Sequence, residues 1–323
     1  MPSKARILDG NSESEIDECV EMLRAGSVIG IPTETVYGLG ADATNESAVA
    51  KIYKAKGRPA DHPLIVHIAS MEAINDWTSD IPEYAIKLAR DFWPGPMTLV
   101  LKRSSLAKDF ITGNQETVGL RVPAQPIALA LLKEFEKIGG NGIAAPSANR
   151  FGAVSPTTAN AVMEELLPYL DINNDRILDG GPCTVGVEST IIDCTSDAPK
   201  LLRLGAITKE MIKESTGLEV IDAVSNSEIR VSGSLESHYA PNAKVLLDQA
   251  PNPGQGFIAL KEVQTPQGAI RLAEPTSIEE YARNLYAALR EADARNLTEV
   301  CVTQPTGEGL AAAIRDRLKR AAN

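Results

Sequence analysis
The chain has 323 residues, 43% of them hydrophobic and 4% aromatic, and a formal net charge of −11. That length accommodates two domains, and no stretch approaches the ~20 apolar residues of a membrane helix. The acidic balance argues against a broad non-specific nucleic-acid surface, because phosphate backbones are bound through excess Lys and Arg, but it leaves room for a local basic groove.

The opening MPSKARILDGNSESE lacks the apolar core of a signal peptide. Cys19, Cys183, Cys194 and Cys301 are scattered, without a CxxC pair. The expectation is a cytoplasmic protein with reduced thiols and neither a zinc knot nor a redox motif. Residues 12–25 carry the first helix signal: Ser12 or Ser14 as N-cap, an Ile16, Val20, Leu23 stripe, and Gly26 as the stop. SVIGIP is a short buried strand ended by Pro32. Helix signals recur at 46–55, 72–78, 82–91, 126–137, 157–168 and 208–215, and strand signals at 64–68, 97–102, 117–122, 142–145, 176–178, 189–194 and 200–203. This alternation implies an α/β or α+β domain over residues 1–221, with antiparallel pairs where strands follow too closely for a crossover.

Residues 222–241 are polar and aperiodic and are read as a linker. Residues 242–323 then give a small Rossmann-like α/β unit: strands KVLLD, GFIALKE and EVCVTQP, the helix SIEEYARNLYAALREADARN, and a closing helix GLAAAIRDRLKRAA. Ser277 and Glu280 fit a capping box, and Leu285, Leu289 and the tyrosines line the apolar face of the long helix. No GxGxxG or P-loop is present in this unit.

The densest chemistry lies between Ile31 and His67. If PTETVYG is extended, Thr33, Thr35 and Tyr37 share one face, although threonines at a strand end need no function. Lys51, Lys54, Lys56 and Arg58 cluster; a solvated helix face explains such a run as well. Lys56 and Arg58 flank Gly57 on a loop suited to a polyphosphate. His67 sits in the apolar strand LIVHI, where a satisfied core histidine is the plainer reading. Further on, Ser147 and Asn149 in IAAPSAN can face one ligand. Ser155 or Thr157 precedes a helix and can be a simple N-cap. Arg121 and Arg203 end strands. No Ser-His-Asp or metal-ligand constellation is evident in the sequence.

Taken in order, PTETVYGLG, KAKGRP, HPLIVHI, WPGPMTLVL, LRVPAQP, APSAN, GVESTI and LLRLG resemble the threonylcarbamoyl-AMP synthase family. The resemblance is to its long form, a YrdC-like domain plus a C-terminal Rossmann-like domain. It runs over about residues 12–210 and continues through HYAP at 238–241. It implies a YrdC-like twisted mixed sheet with helices, linked to a small α/β domain. It also implies a nucleotidyltransferase reaction in the cytoplasm: L-threonine, bicarbonate and ATP give threonylcarbamoyl-AMP and pyrophosphate. The product serves threonylcarbamoyladenosine modification of tRNA beside the anticodon. ATP with Mg2+ is implied as substrate and bicarbonate as co-substrate, without a tightly bound cofactor and with the metal held mainly by phosphates.

By the family pattern, Thr33, His67, Arg121, Ala145 and Ser189 are expected to hold threonine. Lys56, Arg58, Thr117, Ser147, Asn149, Ser155 and Arg203 are expected to hold ATP, and His238 and Tyr239 to belong to a lid. The implied partners are a downstream tRNA threonylcarbamoyl transferase machinery and a weak contact with tRNA itself, with no membrane. One departure stands out: relatives often carry Pro-Gly-Met and basic or aromatic residues before His-Tyr-Ala-Pro, where this chain has SGSLES. Two other readings share the fold, an RNA-binding module and a carbamoyl transferase of hydrogenase maturation. The net charge opposes the first, and the missing cysteine-pair zinc motifs oppose the second.

Overall fold
The structure is a computed structural model, and it describes residues 6–222, 229–232 and 239–323. The stretch SGSLES beyond its first serine, and His238, lie outside the described residues. The first part builds a 12-stranded mixed sheet. Its order is Arg6–Asp9, Arg176–Asp179, Ile29–Ile31, Gly38–Asp42, Ile143–Ala144, Ile65–His67, Thr117–Arg121, Met97–Arg103, Thr190–Asp193, Lys200–Arg203 and Ile221–Asp222, and Thr78–Asp80 pairs with Met97–Arg103. The second part is a 4-stranded parallel sheet, ordered Lys244–Leu247, Glu299–Val302, Gly256–Ile258 and Ile270–Ala273. The helices Ile278–Ala294 and Leu310–Ala321 accompany it. Among the described residues no helix is long and apolar enough to cross a membrane.

Most expected elements form where the apolar pattern placed them. The helix Glu13–Arg24 buries Ile16, Val20 and Leu23, and Ser12 is its N-cap residue, although the Ser12 hydroxyl makes no capping bond. On Ile278–Ala294 the Ser277 hydroxyl accepts from Glu280 N at 3.2 Å, as the capping box requires. The Glu280 carboxylate, however, reaches back to Thr276 N at 2.6 Å, one residue earlier than expected.

PTETVYG is not extended. Thr33 Oγ1 donates to Val36 O at 2.6 Å and lies 2.9 Å from Thr35 Oγ1, which folds the segment into a turn. Tyr37 therefore leaves the hydroxyl cluster, and its phenol donates to Gly181 O at 2.8 Å. The strand Gly38–Asp42 carried no strand signal because glycine is a weak strand former. Packing requires glycine there: a Cβ on Gly40 would lie 2.2 Å from Ile31 Cδ1.

The two sheets share a core. Val36, Val154 and Val187 of the large unit cluster with Tyr281, Leu285 and Tyr286 of the long helix. Gly186 sets how close that helix comes. Its φ is +83°, and a Cβ would stand 2.4 Å from Arg283 Cα and 2.5 Å from Ala282 O. Gly186→Ala is expected to destabilise the protein by about 2–5 kcal/mol, from left-handed backbone strain and overpacking together. A fall in the denaturant midpoint would show it, and an unchanged midpoint would contradict this account of the packing.

Candidate active site
Strands Ile65–His67 and Thr117–Arg121 run parallel with His67 in register with Arg121. Both end at one cleft. The Thr33–Val36 turn forms one wall and the loop at Ala145–Ser147 another. Glu188 and Ser189, just before the strand Thr190–Asp193, and Arg203, ending its neighbour, form a third.

All five residues expected at threonine line this cleft: Thr33, His67, Arg121, Ala145 and Ser189. Arg58, Ser147, Arg203 and Tyr239 line it too. Four expected residues do not. Lys56 is buried behind the loop, where its ammonium donates to Ser147 O at 2.5 Å and Asn149 O at 2.6 Å. The Asn149 amide turns away from the cleft and donates to Arg150 O at 2.7 Å and Ala153 O at 2.8 Å. Ser155 is buried and donates to Glu188 Oε1 at 2.8 Å. It is not a helix cap, because Thr158 caps the helix Ala159–Leu166. Thr117 lines an adjoining cavity with Arg230, Val231 and Ser232. Lys51, read as an ordinary surface cation, binds Gly26 O at 2.6 Å.

Sequence reasoning noted Thr35 among the PTETVYG hydroxyls but missed its bond to Arg121 and two buried acids, Glu34 and Glu188. Thr35 accepts from Arg121 Nη1 at 2.8 Å, and Glu34 pairs with Arg121 Nη2 at 2.7 Å. Glu188 is buried and pairs with Arg317 of the closing helix at 2.8 Å. Arg58 and Arg203 have no carboxylate partner among the described residues; both bind Ser232 instead, Arg58 at Oγ (3.1 Å) and Arg203 at O (2.8 Å). The motif letters PTET and GVEST contain both acids, but only their burial beside arginines marks them.

Electrostatics follow from burial. Lys56 is pushed well below the usual lysine range by burial, then by Arg58. Arg58 falls to about 10, again mainly from burial. His67 falls to about 3, from burial and then from the Arg121 guanidinium. His67 Nδ1 and Arg58 Nε are buried without a hydrogen-bond partner among the described residues. Such atoms in a cleft wall are where a ligand makes up the deficit.

A mixed α/β sheet whose strand ends supply arginines to a cleft, with a small parallel α/β unit packed beside it, defines a YrdC-like two-domain protein. The family model for Sua5, YciO and YrdC, described as "Telomere recombination", matches residues 21–205. The model for the threonylcarbamoyl-AMP synthase C-terminal domain matches residues 207–323. The chain is 40% identical to a threonylcarbamoyl-AMP synthase of Pyrococcus abyssi over 93% of its length and 91% of that protein. It is 38% identical to one of Bacillus subtilis over 96% of its length and 94% of that protein. The crystal structure of P. abyssi Sua5 complexed with L-threonine matches with a TM-score of 0.86 at 36% identity, covering 98% of this chain and 97% of that one. The chain belongs to the threonylcarbamoyl-AMP synthase family.

The His67 imidazole is expected to stay neutral at pH 5 in an NMR titration, because its folded pKa of about 3 lies below the unfolded value of 6.5. Between those values the unfolded state binds the proton first, so stability falls as pH drops below about 6.5. His67→Gln should remove that part of the acid destabilisation. Titration of the imidazole near 6.5 in the folded protein would contradict the burial argument.

Proposed function
We propose that this cleft joins L-threonine, bicarbonate and ATP into threonylcarbamoyl-AMP and pyrophosphate, the activity of the family to which the chain belongs. The threonine amine and bicarbonate give a carbamate with loss of one water: the C–N bond forms as a C–O bond of bicarbonate breaks. The carbamate carboxylate attacks the α-phosphorus, and pyrophosphate leaves. Such a reaction needs positioning and charge stabilisation rather than a protein nucleophile.

One observation carries the reading: Glu188 of the cleft wall and the buried Glu34 are each paired with an arginine, while Arg58 and Arg203 have no carboxylate partner among the described residues. These two cations suit a triphosphate, with Ser147 beside them on the cleft wall. Lys56 adds positive charge behind the loop and shapes it through two carbonyls. A bound polyanion would raise its depressed pKa and secure its proton.

On the other side Arg121 is proposed to meet the threonine carboxylate, with Thr33, neutral His67, Ala145 and Ser189 around the amino acid. Thr117, Asn149 and Ser155 support the nucleotide side from outside the cleft lining. Magnesium stays with phosphate oxygens and water, since Glu34 and Glu188 are engaged by Arg121 and Arg317. The product passes to a tRNA threonylcarbamoyl transferase machinery in the cytoplasm, with a weak tRNA contact as a further proposed interaction.

The segment before Tyr239 is proposed as a lid that excludes water from the labile carbamate. Three contacts support this. Ser232 and Tyr239 line the cleft, Val231 clusters with Val100 and Ile191, and Arg230 exchanges two hydrogen bonds with Gln115, at 2.7 and 3.1 Å. Ser232 bonds both Arg58 and Arg203 and would yield to phosphates.

Pyrophosphate release is expected with ATP, bicarbonate and threonine, and not with other amino acids; release that ignores threonine would sink the reading. Lys56→Ala and Arg58→Ala should each lower ATP turnover at least about tenfold, the scale of a lost charge-assisted bond. Lys51→Ala should stay close to the parent. Deleting residues 230–323 should abolish turnover, and turnover left intact would refute the lid.

A further inference from the structure
The carboxylate of Glu188 is 5% exposed and sits in the cleft wall beside Ser189. It accepts from Ser155 Oγ at 2.8 Å on one oxygen, and from Tyr286 Oη and Arg317 Nε, each at 2.8 Å, on the other. Tyr286 and Arg317 stand on the two helices of the small unit. Arg317 is 1% exposed, and its Nη2 donates to Leu204 O at 2.7 Å. One guanidinium thus joins the segment bearing Ser189 to the segment bearing Arg203. Across that seam Arg203 donates to Ser189 O and Ser189 Oγ, each at 3.0 Å.

Resting on the function proposed above and deepening it, we infer that the small unit completes the active site: Arg317 and Tyr286 are positioning residues that keep Glu188 neutralised and turned away from Arg203, leaving Arg203 for the triphosphate. A buried carboxylate without its partner is an uncompensated negative charge. Here it would face a polyanion site with Arg203 as its nearest remaining cation. The charged and titratable groups around Glu188 are Arg317, Arg203, Tyr286 and Tyr239, with Cys183 beyond them and Asp316 on the far side of Arg317, accepting from its Nη1 at 2.7 Å. Burial alone would raise its carboxyl; Arg317 and then Arg203 reverse this and hold it at about 2. Tyr239 stacks on Tyr286 at 5.7 Å between ring centroids, and the Arg317 guanidinium lies 5.4 Å from the Tyr239 ring. The aromatic wall of the cleft is therefore tied to the same two residues.

The test is steady-state kinetics of the full chain with Arg317→Met, Tyr286→Phe, Glu188→Gln and the Arg317→Met/Glu188→Gln double variant, together with binding of a non-hydrolysable ATP analogue. Arg317→Met should raise the KM for ATP and weaken analogue binding about tenfold or more, as loss of one partner of a buried charge pair does. The KM for threonine should move less. In that variant burial acts on Glu188 with less opposition, its carboxyl rises, and its protonation lifts the repulsion. Nucleotide binding should accordingly recover as pH falls, a trend absent from the parent. The double variant should bring ATP affinity most of the way back. If Arg317→Met does not fold, Tyr286→Phe carries the test with a smaller shift of the same kind.

Unchanged ATP affinity in both variants, or a double variant no better than Arg317→Met, would overturn the inference and leave Arg317 a structural residue. Failure of the parent protein to release pyrophosphate with threonine would instead overturn the proposed function, whatever the variants do.

Discussion

A buried carboxylate beside a site for a polyanion is costly unless a cation neutralises it. Two are buried here, Glu188 in the cleft wall and Glu34 beside Arg121, and each is paired with an arginine, Arg317 at 2.8 Å and Arg121 at 2.7 Å. The pairings divide the arginines by task. Arg121 is turned toward the Thr33–Val36 turn, through Thr35 and Glu34. Arg317 is spent on Glu188, on Leu204 O and on its neighbour Asp316. Arg58 and Arg203 then face the cleft without a carboxylate partner among the described residues, held only by neutral oxygens such as those of Ser232. Neutral oxygens are displaced by phosphate more readily than carboxylates are, because a carboxylate adds the Coulomb attraction of an opposite charge to its hydrogen bond.

The backbone that presents these groups is fixed by small residues and internal hydrogen bonds. Gly57 ends the Lys56 helix in the left-handed conformation, so Arg58 leaves the helix axis and enters the cleft. The Ala145–Asn149 loop carries its own polar groups inward, where Lys56 satisfies two of its carbonyls. Ser147 pairs with Gly38 across an isolated bridge, which ties that loop to the strand after the Thr33–Val36 turn. Lys56 thus links helix, loop and charge in one side chain, and its depressed pKa follows from its burial and then from Arg58.

Much of this was legible in the sequence. The helices at 126–137 and 278–294 bury the faces their periodicity marked, and Ser277 caps the second as its spacing required. The five residues assigned to threonine converge on one cleft although they come from five separate segments. Other features were not legible, for local reasons. Glycines hid the strand Gly38–Asp42, whose chain conformation is set by packing against Ile31 rather than by propensity. The PTET hydroxyls suggested alternation, but Thr33 bonds its own backbone and bends the segment. Ser155 looked like a cap because it precedes a helix, and Thr158 holds that place instead.

The amino-acid order alone determined the family, the two α/β units and the set of residues available for chemistry, because motif spacing and apolar periodicity are properties of the chain. Tertiary structure decided which of those residues share a surface and which cations remain unspent. Glu188 and Arg317 are 129 positions apart, and no local pattern joins them. Their pairing exists only in the packed chain, where Gly186 lets the helix Ile278–Ala294 approach closely and the helix Leu310–Ala321 brings Arg317 to Glu188. Charge compensation in a buried site is a property of distance and solvent exclusion, and both arise only when the chain is packed.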